Sequence, residues 1–347
     1  MVHVASVYLA FASLLLSQSL LLSNCDAFTP QRHPRRPLTS TTIHYPHEDL
    51  GSTGTALRMQ KEEINHKKQT IAIVGSGAVG CYYGARLWET NQYNMKFFMR
   101  GDHYSASKTK GLNVTSVQGD VFIPPHETQD IIYNDTNDMG KVDWVIVALK
   151  STGIDSIPSL LLPLLGKHTR VLAIMNGLVD DDIVRLLEGQ GEKEEPVLTK
   201  CAAVYGGMAL LCSNRKSPGH VDHSYAGKLT CSLARSCEED EDEDEEVREE
   251  HKRAMLDLWS PTQGFEFVYD DNCVRARWSK ALWNLPFNGI SVAMNGITVD
   301  KIVQDAGLRK LAYRVMDETL QVANKDLEVR GCSEEEHLGE TEVRLPL

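Results

Sequence analysis

The chain has 347 residues, 42% of them hydrophobic, enough to build one large or two ordinary domains with real cores and too many to remain wholly disordered. A formal net charge of -12 argues against a general affinity for nucleic acid, which needs clustered basic surface. Part of that charge comes from the acidic run Glu238 to Glu250, read here as a solvated insertion. None of the eight cysteines shows C-x-x-C spacing, so no zinc or redox pair and no metal site is expected.

The amino terminus reads as an address. Val4 to Leu22 is apolar and ends in Ser23-Asn24-Cys25-Asp26-Ala27, the pattern of a signal peptide over residues 1–27, with a membrane anchor in the secretory pathway as the alternative. Residues 28–67 open on Phe28-Thr29-Pro30 and carry Arg32, Arg35, Arg36 and a run of hydroxyls with no acid before Glu48, which is transit-peptide chemistry. The two in series resemble a bipartite plastid presequence. Plastid targeting and a mature protein without a membrane span are therefore expected.

Residues 68–270 form the next unit. Thr70-Ile71-Ala72-Ile73-Val74 is a β-branched strand that runs straight into Gly75-Ser76-Gly77-Ala78-Val79-Gly80 and then a helix. Strand, G-x-G-x-x-G and helix in this order point to a dinucleotide site: Gly75 for the tight turn, Gly77 for close approach of the pyrophosphate, Gly80 for helix packing. Met95 to Met99 gives a second strand, ending in Arg100. A carboxylate there would hold a ribose 2′-hydroxyl, whereas a guanidinium pairs with a 2′-phosphate, so NADP(H) is the expected cofactor. Val142 to Leu149 and Val171 to Met175 are apolar runs that suit strands buried on both faces, and they end in Lys150 and Asn176-Gly177. Ligands of open α/β sheets sit beyond the carboxyl ends of the strands, which places Lys150 and Asn176 at the cofactor or substrate. Gly219 to His223 and Lys228 to Cys231 read as short hairpin strands around a glycine turn, with His220 and His223 structural.

From residue 271 the pattern turns helical. On a helix Lys280, Asn284 and Asn288 fall at i, i+4 and i+8 and share one face, flanked by Trp278, Trp283 and Phe287. A cation with two carboxamides in an apolar setting suits a small anionic carbonyl compound. Pro286 lies between the two asparagines and is expected to kink this rail after Leu282.

The glycine loop, Arg100, Lys150, Asn176-Gly177 and Trp278-Ser279-Lys280 with Asn284 and Asn288, in this order, resemble the ketopantoate reductase family over residues 70 to about 325. The resemblance implies a Rossmann-type α/β domain followed by a smaller all-helical C-terminal domain, and NADPH-dependent reduction of 2-dehydropantoate to pantoate on the way to coenzyme A. It implies Lys280 as proton donor, Asn284 and Asn288 as contacts to the 2-keto acid with Asn295 as a further candidate, and Gly75 to Gly80, Arg100, Lys150 and Asn176 at the cofactor. No Ser-Met-x-x-Asp stretch follows Leu327, so the helical domain over 271–330 reads as truncated and 331–347 as a disordered tail. This departure keeps two alternatives open, a catalytically impaired NADP(H)-binding paralogue and a reductase of another small 2-keto acid. The exposed helices suit a homodimer.

Overall fold

The computed structural model describes residues 68–188, 201–236 and 245–340; the expected signal and transit peptides over residues 1–67 lie outside them. The chain opens with β1 (Thr70–Val74), α1 (Ala78–Glu89), β2 (Asn94–Phe98) and α2 (Gly101–Lys110), followed by β3 (Leu112–Ser116), β4 (Val121–Ile123), α3 (Pro125–Ile131) and β5 (Ile132–Tyr133). It continues through β6 (Trp144–Val147), α4 (Ile157–Leu161), β7 (Arg170–Ile174), α5 (Asp180–Glu188), β8 (Ala203–Ser217) and β9 (His220–Ser236). After α6 (Glu245–Trp259) and β10 (Phe267–Tyr269) come α7 (Cys273–Ala293), α8 (Val299–Gln304) and α9 (Ala306–Val329).

The strands join in the order β4-β3-β9-β8-β7-β6-β1-β2-β5, with β10 added to β9. From β5 across to β8 every pairing is parallel. This is the doubly wound order of a Rossmann sheet, and its switch point falls between β1 and β6. Residues of β1 alternate between two cores: Ile71 and Ile73 join Tyr82, Tyr83 and Leu87 of α1, while Ala72 and Val74 join Leu161, Ile183 and Leu187 on the opposite face. A strand buried on both faces has no polar side to show, which explains the unbroken apolar runs of β1, β6 and β7.

Two long strands depart from the expected short ones. β8 pairs with β7 only from Ala203 to Gly207, and its remainder runs on as an antiparallel arm with β9. The glycine turn expected between the short strands 219–223 and 228–231 is instead an irregularity inside β9, where Ala226 and Gly227 have φ of 60° and 124° and a register shift lies opposite Leu210 and Leu211. The true turn is at Gly219, with φ of 78°. The acidic run is also not wholly a loop: Glu245 to Glu250 open α6, where acids favour a helix N-terminus, and Glu250 pairs with Arg170 at 2.9 Å.

The helical domain has its own core of Trp278, Leu282, Phe287, Ile290, Met316, Ala323 and Leu327. α7 runs unbroken through Pro286, which is buried within it; the ring removes one N–H donor without ending the helix. Residues 331–340, expected to be disordered, are packed. Asn272 donates to Glu336 at 2.8 Å, Leu338 and Asn324 exchange two hydrogen bonds, and Leu338 is only 3% exposed. Leu338, Cys332 against the same core, and these side-chain ties hold a segment whose composition alone reads as solvated.

Candidate active site

The glycine turn is built as a phosphate cradle. A Cβ at Gly75 would sit 2.8 Å from the backbone of Ala148 and Leu149, where β6 leaves the sheet, and one at Gly80 would sit 2.5 Å from the Gly75 carbonyl. These two glycines are required by the protein itself. At Gly77 the nearest atom would be 4.0 Å away, so that side of the turn is open to a ligand. Gly77 caps α1 without a side chain, leaving the first N–H groups of the helix for an anion. Ser76 turns inward and donates to the Ile73 carbonyl at 3.2 Å, while Ala78 and Val79 are half-buried in the first turn. The cradle fits the pyrophosphate of a dinucleotide.

Arg100 stands exposed at the end of β2 as the cap of α2, its guanidinium 6.0 Å from the Phe98 ring. Lys150 is likewise exposed at the end of β6, and Asn176 at the end of β7. All three therefore lie along the carboxyl edge of the parallel strands.

Lys280 reaches this edge from the other domain. Its Nζ donates to Asn176 Oδ1 at 2.8 Å and to the Ala209 carbonyl at 2.5 Å, joining residues 104 apart in sequence. Burial, and secondarily the Arg277 guanidinium one turn earlier, push its pKa down to about 7. The amine thus holds or yields a proton near neutrality, the range in which a general acid works best.

Asn284 and Asn288 follow Lys280 on the same stripe of α7, both half-buried. Trp283 is 41% exposed and lies 4.9 Å from the buried Phe287 ring, giving the stripe an aromatic flank. Asn295 is placed differently. It lies in the exposed turn after α7 with φ of 57°, and there the Gly296 N–H bonds the Ser291 carbonyl at 2.7 Å, a helix-ending geometry that occupies Asn295 in left-handed backbone.

Sequence reasoning missed a clasp behind Lys280. Arg277 is 3% exposed and all its donors are used: Nε and Nη2 bind the Asp180 carboxylate at 2.7 Å each, Nη2 also reaches Ala173, and Nη1 reaches Gly207 and Met175 carbonyls. Gly206 makes room, since a Cβ there would lie 2.8 Å from Asp180 Oδ1. The available signal was a cationic residue one helical turn before Lys280 and an acid four residues after Asn176.

His220 and His223 are structural: His220 meets Thr115 at 3.2 Å and buried His223 meets Ser116 at 2.9 Å. Among the described residues no cluster of His, Cys, Asp or Glu could hold a metal ion, and no helix is long and apolar enough to cross a membrane.

A Rossmann sheet with an open glycine turn, faced by a lysine from a helical domain, defines a two-domain oxidoreductase that works with a pyridine nucleotide. Comparison with known proteins narrows this. Family models described as ketopantoate reductase PanE/ApbA and its C-terminal domain match residues 71–235 and 272–343. A 2-dehydropantoate 2-reductase from Nostoc sp. is 31% identical over 74% of this chain and 72% of its own. The crystal structure of 2-dehydropantoate 2-reductase from Geobacter metallireducens superposes with a TM-score of 0.64 at 30% identity, over 79% of each chain. D-mandelate dehydrogenase, solved with NADH and anilino(oxo)acetate, shares the fold with a TM-score of 0.60 at 20% identity, covering 79% of this chain and 77% of its own. The chain belongs to the ketopantoate reductase family.

Proposed function

We propose that the protein reduces 2-dehydropantoate to pantoate with NADPH, serving pantothenate and coenzyme A synthesis. The observation that carries this reading is the Lys280 ammonium, bound to Asn176 at the carboxyl ends of the parallel strands. When bound, NADPH supplies the hydride for the keto carbon. The glycine turn holds the pyrophosphate, Arg100 the 2′-phosphate, and Lys150 and Asn176 the nicotinamide side. Reduction leaves negative charge on the carbonyl oxygen, and Lys280 stabilises that charge and then gives it a proton. Its depressed pKa makes the donation less uphill than from an ordinary lysine. Asn284 and Asn288 orient the keto acid beside the amine, with Trp283 and Phe287 limiting water on that flank.

The test is stoichiometric: purified protein, NADPH and 2-dehydropantoate, with NADPH loss followed by absorbance and pantoate by mass spectrometry. Equal consumption and formation, with other small 2-keto acids turned over at least about tenfold less efficiently, is the expected result. NADPH binding without turnover would establish the impaired paralogue instead. The reading includes import into a plastid, supported by the composition of residues 1–67. A fluorescent protein fused behind residues 1–67 should accumulate in plastids of a host with secondary plastids; retention in the secretory membranes would contradict it.

A further inference from the structure

The arm formed by β8 and β9 crosses the mouth of the cofactor site, and three contacts fix its path. The Ala209 carbonyl accepts from Lys280, Ser213 Oγ donates to the Ala78 carbonyl in the glycine turn at 3.4 Å, and the Gly219 N–H donates to His103 Nδ1 of α2 at 2.9 Å. The strand therefore passes from the Asn176 end of the site, over the turn, to the Arg100 side.

From Ser213 to Arg215 the ladder is regular, before a register shift at Ser217: Ser213 opposes His223, Asn214 opposes Asp222 and Arg215 opposes Val221. Side chains alternate along a strand, so Ser213 and Arg215 leave the same face. That face is turned to α1, because His223 packs 4.2 Å from the Tyr82 ring and Val221 is wholly buried in the same core. We propose that Arg215 is a phosphate-binding residue of the dinucleotide site, extended over the glycine turn by this arm and acting with Arg100. The proposal rests on the dinucleotide-dependent reading above.

Electrostatics at the turn agree with this placement. Cys81 Sγ lies 3.2 Å from the Ser76 carbonyl and 3.5 Å from His103 Nε2, and both groups feel the Arg215 charge. Burial first, and then Arg215, push His103 down to about 4, so at neutral pH the imidazole is uncharged, with Nδ1 accepting the Gly219 N–H and Nε2–H left to donate towards the Ser76 carbonyl. Arg215 itself is exposed, and no carboxylate pairs with it among the described residues. The acid across the ladder, Asp222, is engaged by Thr115 at 2.6 Å, and it leaves the opposite face. An exposed, unneutralised guanidinium whose charge is felt at Cys81 and His103, next to the glycine turn, is a complement for phosphate.

The experiment is a calorimetric titration of wild type, Arg215→Gln and Lys216→Gln with NADPH and with NADH. Loss of a charge-assisted contact is expected to weaken NADPH binding to Arg215→Gln by about tenfold or more. Lys216→Gln, which removes an exposed charge one residue along in the irregular stretch before Ser217, should stay within about twofold. Loss confined to NADPH assigns the 2′-phosphate, and loss shared by NADH assigns the pyrophosphate; either supports the proposal. Arg215→Gln binding NADPH as wild type does would overturn it while leaving the cofactor reading intact. A wild-type protein that binds neither dinucleotide would overturn both.

Discussion

Arg277 and Asp180, 97 residues apart, form a doubly hydrogen-bonded ion pair that is almost wholly buried and ties α7 to the exit of β7 one turn before Lys280. The Lys280 amine is thus positioned by a contact between domains and not by its own helix alone. Its two acceptors, Asn176 and Ala209, belong to the sheet domain as well.

Breaking the clasp strands a charge away from water. Asp180→Ala leaves the Arg277 guanidinium buried with carbonyls alone, at an expected cost of about 3–5 kcal/mol. Chemical denaturation should show the midpoint falling accordingly, with Arg277→Ala similar. An unchanged midpoint in both variants would show that the pair carries no weight in joining the domains.

The glycines of the turn should separate by phenotype. Gly80→Ala drives a Cβ into the Gly75 carbonyl and should yield a protein with a lowered melting temperature. Gly77→Ala meets no protein atom inside 4.0 Å and should melt as wild type, yet bind NADPH at least about tenfold more weakly. Equal melting and equal binding for both would remove the cradle assignment.

Cofactor choice is expected to follow Arg100. Arg100→Asp replaces the phosphate partner with a carboxylate suited to a ribose 2′-hydroxyl, so the ratio of kcat/KM for NADPH over NADH should fall by about a hundredfold. Unaltered preference would place the 2′-phosphate elsewhere.

Lys280 gives the reaction a pH signature. The ammonium is the donating form and its pKa is pushed from 10.5 to about 7, so kcat for reduction should be level below pH 7 and decline above it. Stability carries the opposite slope. The unfolded chain keeps the proton up to 10.5 and the folded one releases it near 7, so folding becomes more favourable between those values as pH rises. Lys280→Met should therefore be more stable than wild type below pH 7 and lose that advantage towards 10.5. Parallel pH profiles for the two proteins would contradict the buried environment.

The sheet could be read in the sequence wherever a strand is buried on both faces, as in β1, β6 and β7, because the constraint is local. The glycine turn was legible for the same reason: its spacing is a property of adjacent residues. β8 and β9 were not, since Ala226 and Gly227 carry turn chemistry but serve as an irregularity inside a long strand, and only the partner strand decides which. Asp180 and Arg277 left only a faint signal, their spacing from Asn176 and Lys280, because each is an ordinary charged residue until folding brings them within 2.7 Å. The stripe of Lys280, Asn284 and Asn288 was visible from helical spacing, but that spacing did not show the amine bound to Asn176. Residues 331–340 misled by composition: buried Leu338 and half-buried Cys332 anchor an otherwise polar segment on the helical core.

The role of Lys280 is decided by steady-state turnover of 2-dehydropantoate with NADPH by wild type and Lys280→Ala, paired with NADPH titration of each. The variant should lose about 100-fold or more in kcat while binding NADPH with wild-type affinity. A variant that turns over like wild type would contradict that role.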